Sequence, residues 1–384
     1  MRHVRVGDLH LDFEGDKAVI LRSLTHGKAV RAPQFAGAVV SWCGVPRTAE
    51  EVAEQFGGPA RGLYDALVRA GILVAPERAA DTPGMFEYFG RVDVHEMMLA
   101  DRARVDGYRD AIQAAVRPGM VVMDAGTGSG ILAMYAAQAG AARVYAVDNS
   151  AILQHATRNI EAAGLSDVIS TVAGDFATVE LPEKVDLIIT ETFGSMAFVE
   201  GASVDLRACA ARNLAPGGRV LPDAVDFYVA PVTDPEVLQR AVGVFEDIEG
   251  VNLAPLRRAA SHKAVQLRID RRSLAAPGIR FGEAPFPGED TVMGTAVFTG
   301  LAPGSEFVGL AGWFGLRLWE GHTMTIGPTD PETCWLHTFL PAPVRADGDG
   351  RLEVQMRVTP AHDNRRRIEI AVRVGDDFER LYRL

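Results

Sequence analysis

The sequence predicts a mixed α/β protein: a doubly wound parallel domain, followed by an antiparallel β-barrel and preceded by a small winged-helix-like α+β unit. Three observations carry this reading. Val121–Ser150 runs as strand, glycine turn, helix, second strand and acidic residue, which is half of a nucleotide-binding α/β unit. Segments such as VDLIIT at 185–190 are apolar almost throughout, as strands covered by helices on both faces must be. Beyond Asp223 the apolar period becomes two: Leu352, Val354, Met356 and Val358, then Ile368, Ile370, Val372 and Val374, alternate with polar residues, the pattern of antiparallel strands with one buried face.

Residues 1–78 form the first unit. Leu9, Leu11 and Phe13 alternate as a strand, and Ala18–Leu21 can pair with it across a turn at Glu14–Asp16. Thr48 caps a helix that carries Val52 and Phe56 and ends at Gly57 and Gly58; a second helix, Gly62–Ala70, presents Leu63, Leu67 and Val68 on one face and stops at Gly71. Ile72–Val74 makes a short strand, so the order strand, strand, helix, helix, helix, strand is that of a winged helix. Residues 79–84, within the proline-containing stretch 75–84, read as a linker. Strands at Val121–Ala125, Val144–Asp148, Ile169–Ala173, Val185–Thr190 and near Gly218–Leu221 place the doubly wound domain at 85–222 and the barrel at 223–384. Thr233–Ala260 is helical in pattern and interrupts the barrel strands.

At 384 residues the chain is too long for a single core. Its 48% hydrophobic and 23% charged content is that of a globular protein. No apolar run has the length of a membrane span, and the first residues, MRHVRVGDLHLDFEGD, contain no apolar signal core, so a cytoplasmic enzyme is expected. Cys43, Cys209 and Cys334 lie far apart, and neither a disulfide framework nor a metal site is expected from them. The net charge of −11 disfavours nucleic acid but admits a cationic substrate. Residues 1–80 balance 10 Arg/Lys against 9 Asp/Glu, which lacks the basic excess that DNA demands; peptide recognition and a structural or dimerising role both stay open for this unit.

Two constellations carry chemistry. Gly126, Gly128 and Gly130 permit a tight turn into a helix N-terminus, with Asp124 just before it and Asp148 closing the next strand, where a carboxylate can accept ribose hydroxyls. The sixth position of the loop is Ile131 rather than glycine, so close packing over a pyrophosphate is not provided and NAD is disfavoured. Glu191 and Glu200 frame the loop TETFGSMAFVEG after the fourth strand. Ligands of parallel sheets sit at such strand ends, and two carboxylates there would clamp a cationic nitrogen.

The G-x-G-x-G pattern behind Asp124 is similar to the cofactor loop of class I methyltransferases, which bind S-adenosylmethionine (SAM). Across most of 85–384 the chain resembles the protein arginine methyltransferases. The resemblance lies in FEYFGRVDVHEMMLADRARVDGY, in VELPEKVDLIITETFG leading into a double-glutamate loop, and in VFEDIEGVNLAPL within a dimerisation arm at about 233–260. It implies that Gly126, Gly128 and Gly130 cradle the methionine part of SAM, that Arg104 pairs with its carboxylate and that Asp148 holds the ribose. Asp175 and Phe176 would lie near the adenine, and Met98 against the sulfonium. Glu191 and Glu200 would act on the acceptor, S-adenosylhomocysteine would be the product, and the protein would be a homodimer.

The chain departs from that family in several places. Its Thr-His-Trp loop stands here as Thr333-Cys334-Trp335, and the acidic partner of the missing histidine falls at Glu87, which makes Glu87, Cys334 and Trp335 candidate substrate-side residues. Thr192 occupies a usual tryptophan position and Ala177 that of an adenine-contacting acid. At the N-terminus, PRTAEEVAEQFG and GLYDALVRAGILV behind a β-hairpin resemble the PqqD-like domains, or RiPP recognition elements, that hold leader peptides. The combined expectation is SAM-dependent N-methylation of a basic nitrogen, an arginine or a primary amine, on a ribosomally made peptide. The alternatives are arginine methylation of other proteins, methylation of a small amine, and a non-catalytic scaffold.

Overall fold

The computed structural model describes residues 2–5, 9–14, 18–23, 28–33, 35–43, 45–74, 88–245, 247–248, 251–288, 290–361, 367–375 and 378–384. The chain divides into two compact units, Met1–His95 with Ser150–Ile152, and Glu96–Asn149 with Leu153–Leu384. The linker expected at 79–84 lies outside the described residues.

In the first unit β1 (Val4–Arg5) pairs with β5 (Leu73–Val74), while β2 (Leu9–Glu14), β3 (Ala18–Ser23) and β4 (Lys28–Pro33) form an antiparallel sheet. The expected hairpin is present, with Glu14 opposite Ala18. Strand β4 was not expected, because KAVRAP holds two cations and a proline and shows little alternation; at a sheet edge a terminal proline is tolerated. Helices α1 (Ala36–Trp42), α2 (Ala49–Phe56) and α3 (Gly58–Arg69) follow. Thr48 does cap α2: its hydroxyl accepts from the Glu51 N–H while the Glu51 carboxylate accepts from the Thr48 N–H, a reciprocal capping box. The core gathers Val19, Leu21, Val39, Val40, Val52, Tyr64, Leu67 and Ile72.

The second unit begins within α4 (Val92–Ala100), which α5 (Arg102–Ala115) follows. Five strands then form a wholly parallel sheet: β6 (Val121–Ala125), β7 (Arg143–Asp148), β8 (Ile169–Ala173), β9 (Val185–Thr190) and β10 (Leu214–Leu221), in the order β10-β9-β6-β7-β8. Helices α6 (Ile131–Gln138), α7 (Leu153–Ala162) and α8 (Ala202–Asn213) supply connections. Strand order reverses between β6 and β9, and ligands of open parallel sheets bind outside the strand ends at such a point.

The rest of this unit is antiparallel. Strand β11 (Ala224–Val232) is followed by α9 (Pro235–Val242), by the two-residue strands β12 (Asp247–Ile248) and β13 (Val251–Asn252), and by α10 (Ala254–Ala260). The segment 233–260 is thus two short helices flanking a hairpin rather than one helical run. Strands β14 (Val265–Leu267), β15 (Ile279–Pro285), β16 (Val292–Phe298), β17 (Glu306–Trp319), β18 (His322–Thr325), β19 (His337–Arg345), β20 (Leu352–Pro360), β21 (Ile368–Val374) and β22 (Phe378–Arg383) complete the chain. They form two sheets, β14-β19-β17-β11-β15 with β18 beside β17, and β16-β20-β21-β22. The expected period of two is realised: Leu352, Val354, Met356, Val358, Ile368, Ile370, Val372 and Val374 are all buried. They join the parallel sheet in one continuous core, which takes in Leu187, Ile188 and Val122 from that sheet and Phe227, Phe314 and Phe339 from the barrel strands. No helix among the described residues is long and apolar enough to cross a membrane.

Candidate active site

The glycine turn leaves β6 at the strand-order reversal. Gly126, Gly128 and Gly130 have φ of +80°, +55° and +86°, a region costly for residues with a Cβ. Gly126 is restricted twice, since a Cβ there would lie 2.5 Å from Thr192 Cγ2. The turn is clamped from both sides. The Gly126 and Thr127 N–H groups donate to the Val147 carbonyl of β7, and the Gly128 N–H donates to Asp148 Oδ2 at 2.9 Å.

Asp124 is fully buried beneath this turn. Its Oδ2 accepts from Thr127 Oγ1 at 2.5 Å and from the Ala133 N–H at 3.0 Å, so it ties β6 to the first turn of α6. Its Oδ1 is buried without a hydrogen-bond partner. Burial pushes this carboxyl up to about 7, against the pull of those two donors. Asp175 uses Oδ1 to accept from the Ala177 N–H, fixing the bend after β8, and Phe176 is half-buried beside it.

The centre of the site is an ion pair absent from the sequence reading. Arg104, in the first turn of α5, donates from Nη1 to Glu191 Oε2 at 2.6 Å and from Nη2 to the Met98 carbonyl at 2.8 Å. Both side chains are nearly enclosed, at 9% and 13% exposure. Burial raises the Glu191 carboxyl above its ordinary value and Arg104 opposes the rise. The Trp335 ring lies 5.5 Å from the guanidinium, and its indole N–H donates to the Phe193 carbonyl in the loop that Glu191 opens. Tyr108, also on α5, donates to the Thr190 carbonyl at the end of β9.

Asp101 is the residue that sequence reasoning missed. Its Oδ1 caps α5 by accepting from the Arg104 N–H, and its Oδ2 accepts from the Cys334 N–H at 2.7 Å. A backbone amide therefore links the 333–335 loop to a carboxylate without a histidine. Among the described residues the acidic partner of this loop is Asp101; Glu87, expected there, lies outside the described residues. The Cys334 thiol is pushed up to about 12 by burial, so it remains protonated. Met98 is half-buried and enters the site geometry through its carbonyl. Glu200 falls in the short 3₁₀ turn Val199–Gly201; its side chain lies outside the described residues. Signals for Asp101 existed in its position one residue before α5, but its second contact spans 233 positions.

Comparison with known proteins agrees with this architecture. A family profile described as ribosomal protein L11 methyltransferase (PrmA) matches residues 109–196. A probable protein arginine N-methyltransferase 6 of Arabidopsis thaliana is 37% identical over 183 residues, covering 47% of this chain and 42% of the relative. Protein arginine N-methyltransferase 6 of Xenopus laevis is 28% identical over 311 residues, 76% of this chain and 91% of that protein. The match to the Arabidopsis relative thus spans less than half of that protein's length. Among solved structures, the Trypanosoma brucei PRMT1 enzyme-prozyme heterotetrameric complex with AdoHcy superposes with a TM-score of 0.69 at 26% identity, over 77% of this chain and 99% of that one. Arabidopsis thaliana protein arginine methyltransferase 10 gives 0.65 at 21%, over 78% of this chain and 99% of that one, a likeness of fold. The fold is that of a Rossmann-like methyltransferase domain followed by a barrel.

Two outcomes are expected from the site's electrostatics. Arg104→Met leaves Glu191 buried without its partner, so urea denaturation should show a loss of about 3–5 kcal/mol, largely restored by adding Glu191→Gln; no restoration would mean the pair does not govern the loss. Asp124 is raised in the folded chain from 3.8 to about 7, so between those pH values the folded state holds a proton that the unfolded state has released. Stability should therefore fall by roughly 4 kcal/mol as pH climbs from 4 to 7 and level off above, from this group alone. Denaturation curves of Asp124→Asn should lack that component, and identical pH profiles for the two proteins would refute it.

Proposed function

We propose that the protein is a SAM-dependent N-methyltransferase acting on the guanidinium of arginine in a protein substrate, with S-adenosylhomocysteine as product. The observation that carries this reading is a buried carboxylate, Glu191, held at the strand-order reversal by a single arginine at 2.6 Å. The names of the relatives support it, as does the neighbour complexed with AdoHcy. They favour arginine in proteins over the ribosomal precursor peptide expected from the N-terminal phrase.

The residues suit such a cofactor. Gly126, Gly128 and Gly130 keep the turn into α6 free of side chains of its own, Asp148 closes β7 with its Oδ2 oriented by the Gly128 N–H, and Arg104 is bonded to Glu191 at the same strand ends. Bound there, the cofactor supplies a methyl group on a positively charged sulfur. The chain's own part is positional, because an in-line displacement requires the acceptor nitrogen to be aligned at close approach. Glu191 would accept N–H bonds from the guanidinium and turn its lone pair toward the methyl donor, with Glu200 as its expected second clamp. A carboxyl already raised by burial also accepts more readily the proton that the methylated nitrogen must lose. We propose further that 233–260 serves self-association and that 1–78 recruits polypeptide.

The test is methyl transfer from labelled SAM to an arginine-rich protein, read by mass spectrometry of the modified residue. Wild type should transfer. Glu191→Gln should fall at least about 100-fold while still binding SAM, and a chain lacking residues 1–78 should keep SAM affinity but lose substrate affinity. Methylation confined to lysine or to small amines would reject the arginine assignment.

A further inference from the structure

The barrel contains a cleft that this chemistry does not use. It encloses about 420 Å³, within the roughly 300–1,000 Å³ of small-molecule sites, and its walls include Tyr228, Leu274, Trp313, Asp330 and Arg271. Tyr228 on β11 and Trp313 on β17 are direct cross-strand partners. Their rings stack with planes 8° apart and centroids at 6.0 Å. The indole is largely buried and closely packed: it meets His337 edge-on at 6.4 Å, and a Cβ at Gly327 would lie only 2.8 Å from its Nε1.

Asp330 stands beside this aromatic pair. Its Oδ2 accepts from Thr325 Oγ1 at 2.6 Å and from the Gly327 N–H at 2.7 Å, so the carboxylate is fixed in direction, and Oδ1 has no hydrogen-bond partner among the described residues. Arg271 is exposed at the mouth, where water and salt screen it. Strand alternation separates the cleft from the Arg104–Glu191 pair. Gly312 lies against Met196 of the double-glutamate loop and Phe314 against Trp335, while Trp313 between them faces the other way.

Two aromatic surfaces attract a cation through their ring quadrupoles. A fixed carboxylate with an available oxygen adds a charge-assisted hydrogen bond, and a planar guanidinium can satisfy both at once. We propose that this cleft binds the guanidinium of an arginine side chain in the substrate polypeptide, distinct from the arginine that reacts. The cation site stands on its own residues; only the identity of its occupant as substrate rests on the proposed arginine methylation.

The experiment is calorimetric titration of the full chain carrying Glu191→Gln, without cofactor, using Nα-acetylarginine amide and its neutral isostere Nα-acetylcitrulline amide. The arginine amide should bind saturably and at least tenfold more tightly than the citrulline amide. Adding Asp330→Asn should weaken it at least tenfold. Because Asp330 also holds its own turn, Tyr228→Leu provides a second variant with those hydrogen bonds intact and should weaken binding several-fold. Equal binding of the two ligands, no binding of either, or affinity unchanged in both variants would overturn the cation site. Tighter binding of free arginine than of the blocked amide would overturn the polypeptide assignment. Turnover of the chain with an intact Glu191 is measured separately, so loss of methyl transfer with the cleft still binding arginine amide would count against the proposed reaction and not against the cleft.

Discussion

The buried pair between Arg104 and Glu191 is the constraint on which the rest of the site depends. Two charges taken out of water cost more than a surface pair returns, unless further hydrogen bonds complete them. Here the Met98 carbonyl accepts the second guanidinium bond, and three segments distant in sequence build the surroundings of the pair. The start of α5 brings Arg104 and Asp101, the end of β9 brings Glu191, and the 333–335 loop brings the Trp335 ring and the Cys334 amide. Each segment has its own tether: Asp101 caps α5, Tyr108 reaches the Thr190 carbonyl, and the Trp335 indole reaches the Phe193 carbonyl. Replacing both charges together by apolar side chains of similar volume would cost the fold little, unlike removing one of them, so the pair makes sense as an orienting device for a carboxylate.

Carboxylates dominate the bonded charges around that pair. Asp101, Asp124, Asp148 and Glu191 surround the strand ends, with Arg104 the cation bonded among them. Asp148 and Glu191 both push Asp124 upward, after burial has done most of it. Holding Asp124 protonated over part of the physiological range relieves that repulsion, and its remaining bonds serve geometry by fastening α6 to β6. With Asp124 so protonated, the carboxylates bonded at the surface of this turn are Asp148, which accepts from the Gly128 N–H, and Glu191, which accepts from Arg104.

Sequence reasoning reached the parts of this design that are local. The glycine turn, the apolar runs of β6, β7 and β9, and the alternation of β20 and β21 are each written within about ten residues, and the structure follows them. What escaped was non-local or carried by the backbone. Asp101 looks like an ordinary helix cap until the Cys334 amide arrives from another part of the chain. Replacing histidine by cysteine suggests a broken link only if the link runs through the side chain, and here it runs through an N–H that every residue except proline possesses. The hairpin inside 233–260 has strands of two residues each, too short to show a period against the flanking helices.

Strand β17 ties the barrel to the surroundings of the Arg104–Glu191 pair. Its fourteen residues, Glu306–Trp319, pair with β11, β18 and β19, so it cannot slide without breaking ladders on both sides. Successive side chains on such a strand are committed to opposite faces. Gly312 and Phe314 fit against Met196 and Trp335, while Trp313 lines a separate aromatic cleft. A one-residue slip would exchange those faces, lifting Trp335 from its partner and closing the cleft together. The surroundings of Glu191 and the floor of the cleft are therefore set by a single register.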